Sequence, residues 1–125
     1  MDEVGYEVDQ EYSTSSQTQR TSSNGFDLTG WIEVANGETF YLKNFIMPDG
    51  VSDRNNMIYW FNNDKSWGGT FHCTTGNGQF TPVFGEDGYL KQFTVGSSGW
   101  TGRYIRINCT HIDETSIITR GEPID

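Results

Sequence analysis

Two tryptophans of this sequence lie in loops of small residues, where core packing demands little of them. Trp67 occurs in SWGG and Trp100 in SSGWTG, and a third indole, Trp60, occurs in the apolar stretch NMIYWFN. An exposed indole offers a flat platform that the C–H face of a sugar can cover, while amides, acids and cations bind the hydroxyls. The ligand-binding residues predicted on this basis are Trp60, Trp67, Trp100, Asn62, Asp64, Arg103 and Asn108, with Asn63 as a further polar partner.

An alternative stays open for the two loop tryptophans, Trp67 and Trp100. Each ring can instead fold back as a lid over one end of the domain core, where its large apolar surface is shielded from water. In the first interpretation these loops form a binding surface, and in the second they close the core.

The stretch at residues 56–62 is apolar on both faces when it is read as a strand, because successive side chains point to opposite sides. One face holds Met57, Tyr59 and Phe61, and the other holds Ile58 and Trp60. We assign the first face to the core because it is the fuller set. The second face then points outward and needs a cover, which is a flat ligand, a loop or a neighbouring subunit.

Histidine and cysteine occur in two groups that contain the ligand types of a zinc site, HC at 72–73 and CTH at 109–111. Consecutive strand residues point to opposite faces, so one ion could not use both His72 and Cys73 without a bulge. The loop residues Asp49, Asp53, Asn55, Glu86 and Asp87 lack the regular spacing of a calcium loop. We therefore predict no metal and no cofactor.

The two cysteines, Cys73 and Cys109, lie in different strand-like segments. A single disulfide and a pair of buried thiols both remain open, because spacing alone does not decide between them.

The sequence offers little that would catalyse a reaction. GSSG at 96–99 lacks the G-x-S-x-G spacing that exposes a nucleophile between a strand and a helix. The neighbouring carboxylates at 86–87 fall in an apparent hairpin turn, with no sign of a cleft that would adapt them to acid–base work. The chain is therefore predicted not to be an enzyme.

Length and charge exclude further function classes. A chain of 125 residues fits one domain and can bury a core without a disulfide or a metal. Acids outnumber Lys and Arg by 17 to 8, and the formal charge of −9 would repel phosphate backbones and anionic membranes. No run reaches the ~18 apolar residues of a membrane span, and the N-terminus lacks the regions of a signal peptide. We expect a soluble protein that binds neither nucleic acid nor membrane.

Residues 1–27 are mostly Ser, Thr, Gln and acids, which predicts a polar arm or a loosely packed first strand. In residues 28–125, short apolar or alternating runs are separated by turn residues, which indicates an antiparallel all-β domain. Eight runs at this spacing predict a β-sandwich of about eight strands, of the jelly-roll type. The runs cover residues 29–34, 39–45, 56–62, 69–75, 79–84, 89–95, 102–109 and 115–120.

Alternation is clearest in the run at 102–109. Ile105 and Ile107 share one face and are predicted to lie in the core. The other face holds Tyr104, Arg106 and Asn108, and is predicted to point outward and to be available for polar interactions.

Three segments carry a resemblance to a known family: GWIEVANGETFYLKNFIMPD, NNMIYWFNNDK and GRYIRINCTHIDETSIITRGEPI. Together they resemble a β-sandwich module of tailed-phage and gut-bacterial proteins. The resemblance covers residues 28–124, and it defines a scaffold without identifying ligand residues. The matching positions are Thr29 to Ile32, Val34, Tyr41 to Asn44, Phe61, Asn62, Lys65, Tyr104 to Ile107, Asp113 to Thr119, Glu122 and Ile124.

The resemblance implies a carbohydrate-binding jelly roll of phage receptor-binding, baseplate or head-fibre proteins, which also occurs beside SGNH-type esterases. It implies a place on the virion surface, a host-surface or environmental glycan as ligand, and other virion proteins and a homotrimer as partners. One alternative is a structural decoration or fibre-attachment domain in which Ile58 and Trp60 pack against a neighbour. Another is an accessory module of an extracellular or cell-surface bacterial esterase.

Overall fold

The computed structural model describes residues 4–46, 55–72, 79–86 and 89–124, without the side chains of 55–57 and 72. Every regular element in these ranges is a β-strand, and all the strand pairs are antiparallel. No helix in the described part of the chain is long and apolar enough to cross a membrane. The strands are β1 (Tyr6–Glu7), β2 (Gln10–Ser13), β3 (Thr18–Thr21), β4 (Asp27–Thr29), β5 (Ile32–Glu33), β6 (Thr39–Lys43), β7 (Asn55–Phe61), β8 (Trp67–His72), β9 (Phe80–Phe84), β10 (Leu90–Val95), β11 (Tyr104–Cys109) and β12 (Ile117–Arg120).

Two sheets pack as a sandwich, and a separate hairpin lies on one of them. The larger sheet has the order β1-β4-β11-β7-β8, with β5 also paired to β11, and the smaller has the order β12-β6-β10-β9. Strands β2 and β3 form the hairpin. The predicted all-β antiparallel sandwich is confirmed, and each of the eight predicted runs contains at least part of a strand. The described ranges hold twelve strands rather than about eight, because the polar N-terminal segment adds three and the first run contains parts of two. The jelly-roll type stays a prediction.

The main core lies between the two sheets and is rich in phenyl rings. Phe71 of the larger sheet stacks on Phe80 of the smaller sheet, with ring centroids 4.9 Å apart. Ile105 and Ile107 are fully buried in the same core, which confirms the predicted inward face of β11. Burial of this apolar surface is the main source of the domain's stability.

A second apolar cluster lies on the opposite, outer face of the larger sheet. Its buried members are Leu28, Tyr59 and Phe61, and Tyr12, Trp31, Trp67 and Tyr104 pack against them. Strand pairing explains part of this cluster. Paired residues of neighbouring strands form one row across the sheet, and this row contains Glu33, Tyr104, Phe61 and Trp67. Tyr12 belongs to the hairpin, and its ring centroid lies 5.0 Å from that of Tyr59. The hairpin therefore covers the outer face.

The faces predicted for residues 56–62 are reversed in the structure. Ile58 is fully buried in the main core, and Trp60 packs against that core, so neither forms an exposed outer pair. Tyr59 and Phe61 lie in the second cluster, and the side chain of Met57 is outside the described residues. The prediction was wrong because both faces are apolar, and only pairing with Ile105 and Ile107 of β11 decides which one meets the smaller sheet.

One buried arginine fastens the N-terminal strands to the outer face. Arg106 has a side chain only 5% exposed, and its Nη2 lies 2.7 Å from a carboxylate oxygen of Glu7. Its Nη1 donates to the hydroxyl of Tyr12 and to Oε1 of Gln19, and its Nε donates to the carbonyl of Thr29. The guanidinium therefore ties the hairpin strands β2 and β3 to β1 and β4 of the larger sheet, and its charge is paired and hydrogen-bonded, as burial requires.

Asn108 continues this network. Its amide nitrogen donates to the carbonyls of Gln10 (2.9 Å) and Asp27 (2.7 Å), and its Oδ1 accepts from the hydroxyl of Tyr59. Residues of the predicted arm thus form the strands β1, β2 and β3, and the face predicted to be open for polar interactions is covered.

Candidate functional site

An open cleft of about 350 Å³ brings together several residues singled out in the sequence. Its lining residues are Asn36, Asn63, Trp100, Thr101, Gly102 and Arg103. Amide, hydroxyl, guanidinium and indole groups therefore face one space. This set of hydrogen-bond donors and acceptors beside an aromatic ring is typical of sites for polar ring-shaped ligands such as sugars.

The backbone around Arg103 fixes one wall of the cleft. The amide of Arg103 donates to the carbonyl of Phe61, and its own carbonyl accepts from the amide of Val34, both at 2.8 Å. These bonds join the start of β11 to β7 and to the segment after β5. The side chain of Arg103 itself is exposed. The guanidinium is therefore carried by a rigid main chain and is open to solvent.

Trp100 lines the cleft but is a buried residue. Its exposed fraction is 7%, so the interpretation in which this ring folds back over the core is the one the structure shows. A Cβ on Gly102 would lie 2.1 Å from Cζ2 of Trp100, so only glycine lets the chain pass this close to the indole. Trp100 is thus wrong as an exposed platform, although it shapes the cleft.

The indole N–H of Trp100 has no hydrogen-bond acceptor among the described residues. The rings of Trp60 and Phe71 lie beside it, at centroid distances of 5.6 Å and 5.9 Å. A buried donor without a partner is costly, which indicates that ring packing fixes this indole.

Asn36 contributes from the turn before β6. Its Nδ2 donates to the carbonyl of Ser97 at 2.7 Å, so this amide links two loops on the rim of the cleft. Gly96 adopts a φ of +94° there, and a Cβ would lie 1.9 Å from Oδ1 of Asn36. The loop at 96–102 therefore needs Gly96 for the close approach to Asn36 and Gly102 for the close approach to Trp100.

The turn between β7 and β8 supplies Asn63 to the lining of the cleft. It is closed by backbone bonds from Asn62 to Ser66 and from Lys65 back to Asn62, both 2.9 Å long. Side chains stabilise the same turn: Asn62 donates to Ser66, and a carboxylate oxygen of Asp64 accepts from the Ser66 hydroxyl and amide. These bonds to Ser66 lower the pKa of Asp64. Asn62 and Asp64 therefore shape the turn, and neither lines the cleft.

Trp60 and Trp67 lie on opposite faces of the sheet, and neither lines the cleft. Trp60 is half-buried and covers the backbone of Gly68, where a Cβ would lie 2.2 Å from Cε3 of the indole. Trp67 is half-buried in the outer cluster, 5.7 Å from Tyr12 between ring centroids. The three tryptophans do not form one binding surface.

Asn108 is wrong as a polar ligand contact, because it is only 1% exposed and lies beneath the hairpin. Of the seven predicted ligand residues, the structure places Trp100 and Arg103 together in the cleft, with Asn63 beside them.

Predictions on metals and cysteines are tested only in part. No group of His, Cys, Asp and Glu in the described ranges has the arrangement of a metal site. Cys109 is buried and its Sγ lies 3.5 Å from the carbonyl of His111. Cys73, Asp49, Asp53 and Asp87, and the side chains of His72 and Asn55, are outside the described residues.

Sequence reasoning missed Asn36 in the cleft and the anchoring role of Arg106. An arginine in the middle of the apolar run YIRINC is the available signal for the latter, because a buried cation needs an acid and the polar N-terminal segment supplies one. Comparison of the chain with protein-family models, with curated proteins and with solved structures finds no significant match.

Proposed function

We propose that this chain is a non-catalytic carbohydrate-binding domain that binds a glycan in the cleft between Asn63, Trp100 and Arg103. The observation that carries the proposal is the meeting of these groups in one open space of about 350 Å³, with Arg103 exposed at its wall. Guanidinium and amide groups bind sugar hydroxyls in pairs, and an indole edge supplies apolar contact.

The resemblance adds the biological setting to this proposal: a jelly-roll adhesion module of a phage structural protein, exposed on the virion and attaching it to host-surface glycans. An open cleft of this size favours weak binding per site, in the roughly millimolar range, because few contacts offset the cost of association. Many copies on one particle would then supply the attachment strength.

The structural-decoration alternative depended on an exposed Ile58 and Trp60. Ile58 is fully buried in the main core and Trp60 packs half-buried against it, so the two do not form the exposed apolar pair that this alternative needs. Glycan binding is therefore the function that the described surface favours.

The test is an NMR or calorimetric titration with cell-wall and capsular glycans. We expect saturable binding that Arg103→Ala weakens about tenfold or more, because hydrogen bonds to a charged group contribute roughly 1.5–3 kcal/mol. Trp100→Ala is a poor probe because it removes a core side chain. Arg20→Ala is the matched control, since Arg20 is exposed on β3 and does not line the cleft. Absence of saturable binding to every glycan, or equal affinity of Arg103→Ala, would contradict the proposal.

A further inference from the structure

Two aromatic rings on the outer face meet at a right angle beside a cation. The rings of Trp31 and Tyr104 are 85° apart in plane, with centroids separated by 6.1 Å. The ammonium of Lys65 lies 5.2 Å from each ring centroid. Both distances fall within the ~6 Å range at which a cation is attracted to the face of an aromatic ring. We call these two side chains the ring pair.

Lys65 is held on the ring pair by these contacts alone. The residue is exposed, and its ammonium makes no hydrogen bond or ion pair with the described residues. Its backbone adopts a φ of +66° in the turn at 62–66, a conformation that an L-residue with a side chain adopts at a cost. Because a cation–π contact at an exposed position is weak, the ammonium of Lys65 can be displaced from the rings by another cation.

A carboxylate lies on the same face as the ring pair. Glu33 is the direct cross-strand partner of Tyr104, so the two side chains project from the same side of the sheet. Glu33 is exposed and forms no ion pair with another described residue. Arg106 also contacts Trp31, 4.9 Å from its ring centroid, but that charge is matched by Glu7. Together with a formal charge of −9 for the chain, the local field favours a cation.

We propose that the ring pair is a binding site for a quaternary ammonium group, which Lys65 occupies in the absence of ligand. A primary ammonium has three N–H donors, and the contacts at this position leave those of Lys65 to water. A methylated ammonium has no N–H to satisfy, so it loses less when the rings desolvate it. The site therefore selects quaternary over primary ammonium ions.

In this proposal Lys65 competes with the ligand, so Lys65→Ala is the most informative variant. In Lys65→Ala, choline should bind at least about threefold more tightly than in the unmodified chain, read from the indole N–H shift of Trp31 by NMR. Lys91→Ala is the matched control, because Lys91 lies over the single ring of Tyr89 and leaves the ring pair untouched. That variant should bind choline as the unmodified chain does.

A neutral isostere separates cation recognition from simple hydrophobic contact. We expect 3,3-dimethyl-1-butanol, which has the shape of choline without its charge, to bind Lys65→Ala about tenfold more weakly than choline. Separate titrations with choline and Nε-trimethyllysine distinguish a headgroup from a methylated side chain as the source of the ammonium. Trp31→Leu and Tyr104→Leu should each abolish binding while keeping an apolar side chain, and binding to Trp31→Leu, which lacks the reporter indole, is measured by calorimetry. Equal binding of choline and its isostere, or no choline binding to Lys65→Ala, would overturn the proposal.

Discussion

The two faces of the larger sheet are packed by different chemistry. The inner face buries aliphatic and phenyl side chains such as Ile58, Ile107 and Phe71 against the smaller sheet. The outer face buries tyrosine and indole rings together with Arg106 and Asn108, beneath a hairpin whose strand β3 is wholly exposed. Because the covered face includes Arg106 and Asn108, the polar hairpin must supply hydrogen-bond partners for these two side chains.

This difference shows how a polar N-terminal segment can shield from water the aromatic side chains that lie outside the main core. On the inner face, complementary shape and buried apolar area are sufficient to hold the two sheets together. On the outer face, each buried polar side chain among the described residues has a hydrogen-bond partner, as with Arg106 and Glu7 or Asn108 and Tyr59. The stability of the outer face should therefore depend on hydrogen bonds, and the stability of the inner face should depend on how completely its side chains fill the core.

The largest expected effect is on the inner face. Phe71→Ala should lower the free energy of unfolding by about 3–5 kcal/mol, because a fully buried ring that stacks on Phe80 leaves a cavity between the sheets. Chemical denaturation measures this. A loss below about 1 kcal/mol would mean that the two sheets do not pack as described.

On the outer face, Arg106→Met should cost about 2–4 kcal/mol, because the apolar stem is kept while the bonds to Glu7, Tyr12, Gln19 and Thr29 are lost. Glu7 is half exposed and can return to water, which limits the loss. Arg20→Ala removes an exposed guanidinium from the buried carboxylate of Glu11, which keeps its bond from the Ser22 hydroxyl, and should cost about 1–2 kcal/mol. Equal effects of the two substitutions would contradict the anchoring role of Arg106.

A smaller effect is expected when one hydroxyl of the outer network is removed. Tyr59→Phe keeps the ring in the second cluster but leaves Oδ1 of the buried Asn108 without its 2.9 Å bond, at a cost of about 1–2 kcal/mol. The same denaturation experiment measures it. An unchanged stability would indicate that ring packing alone holds this face.

The smallest expected effect on stability comes from Asp113, which lies between β11 and β12 and belongs to neither face. Hydrogen bonds from the hydroxyl and amide of Thr115, and the contact with His111, lower the pKa of Asp113 from 3.8 to about 2. A lowered pKa in the folded state stabilises the protein above pH ~4, and this contribution is lost as the pH falls toward 2. Denaturation midpoints between pH 5 and pH 2 should therefore fall more steeply in the unmodified chain than in Asp113→Asn. Parallel curves would exclude this contribution.

The sequence predicts the fold class and the strands after residue 28, because turn residues and alternation are local signals, but it misses β1, β2 and β3 in the polar N-terminal segment. It also predicts that Ile105 and Ile107 point inward, since β11 has one apolar and one mixed face. It fails for β7, where both faces are apolar and the choice depends on pairing with a strand far along the chain. It fails for Asn108 as well, because the covering hairpin comes from about 100 residues away.

The candidate cleft was predicted only in outline. Trp100, Arg103 and Asn63 are recognisable by type, and two of them are close in sequence. Asn36 comes from a distant turn, and its approach to the loop at 96–102 depends on Gly96. Long-range packing of this kind leaves no local pattern in a single sequence.

The central claim is that the N-terminal hairpin is docked on the aromatic outer face, and ring-to-ring NOEs test it most directly. With centroids 5.0 Å and 5.7 Å apart, the ring protons of Tyr12 should show cross-peaks to those of Tyr59 and Trp67. Absence of these cross-peaks, together with random-coil shifts for residues 10–21, would contradict the account.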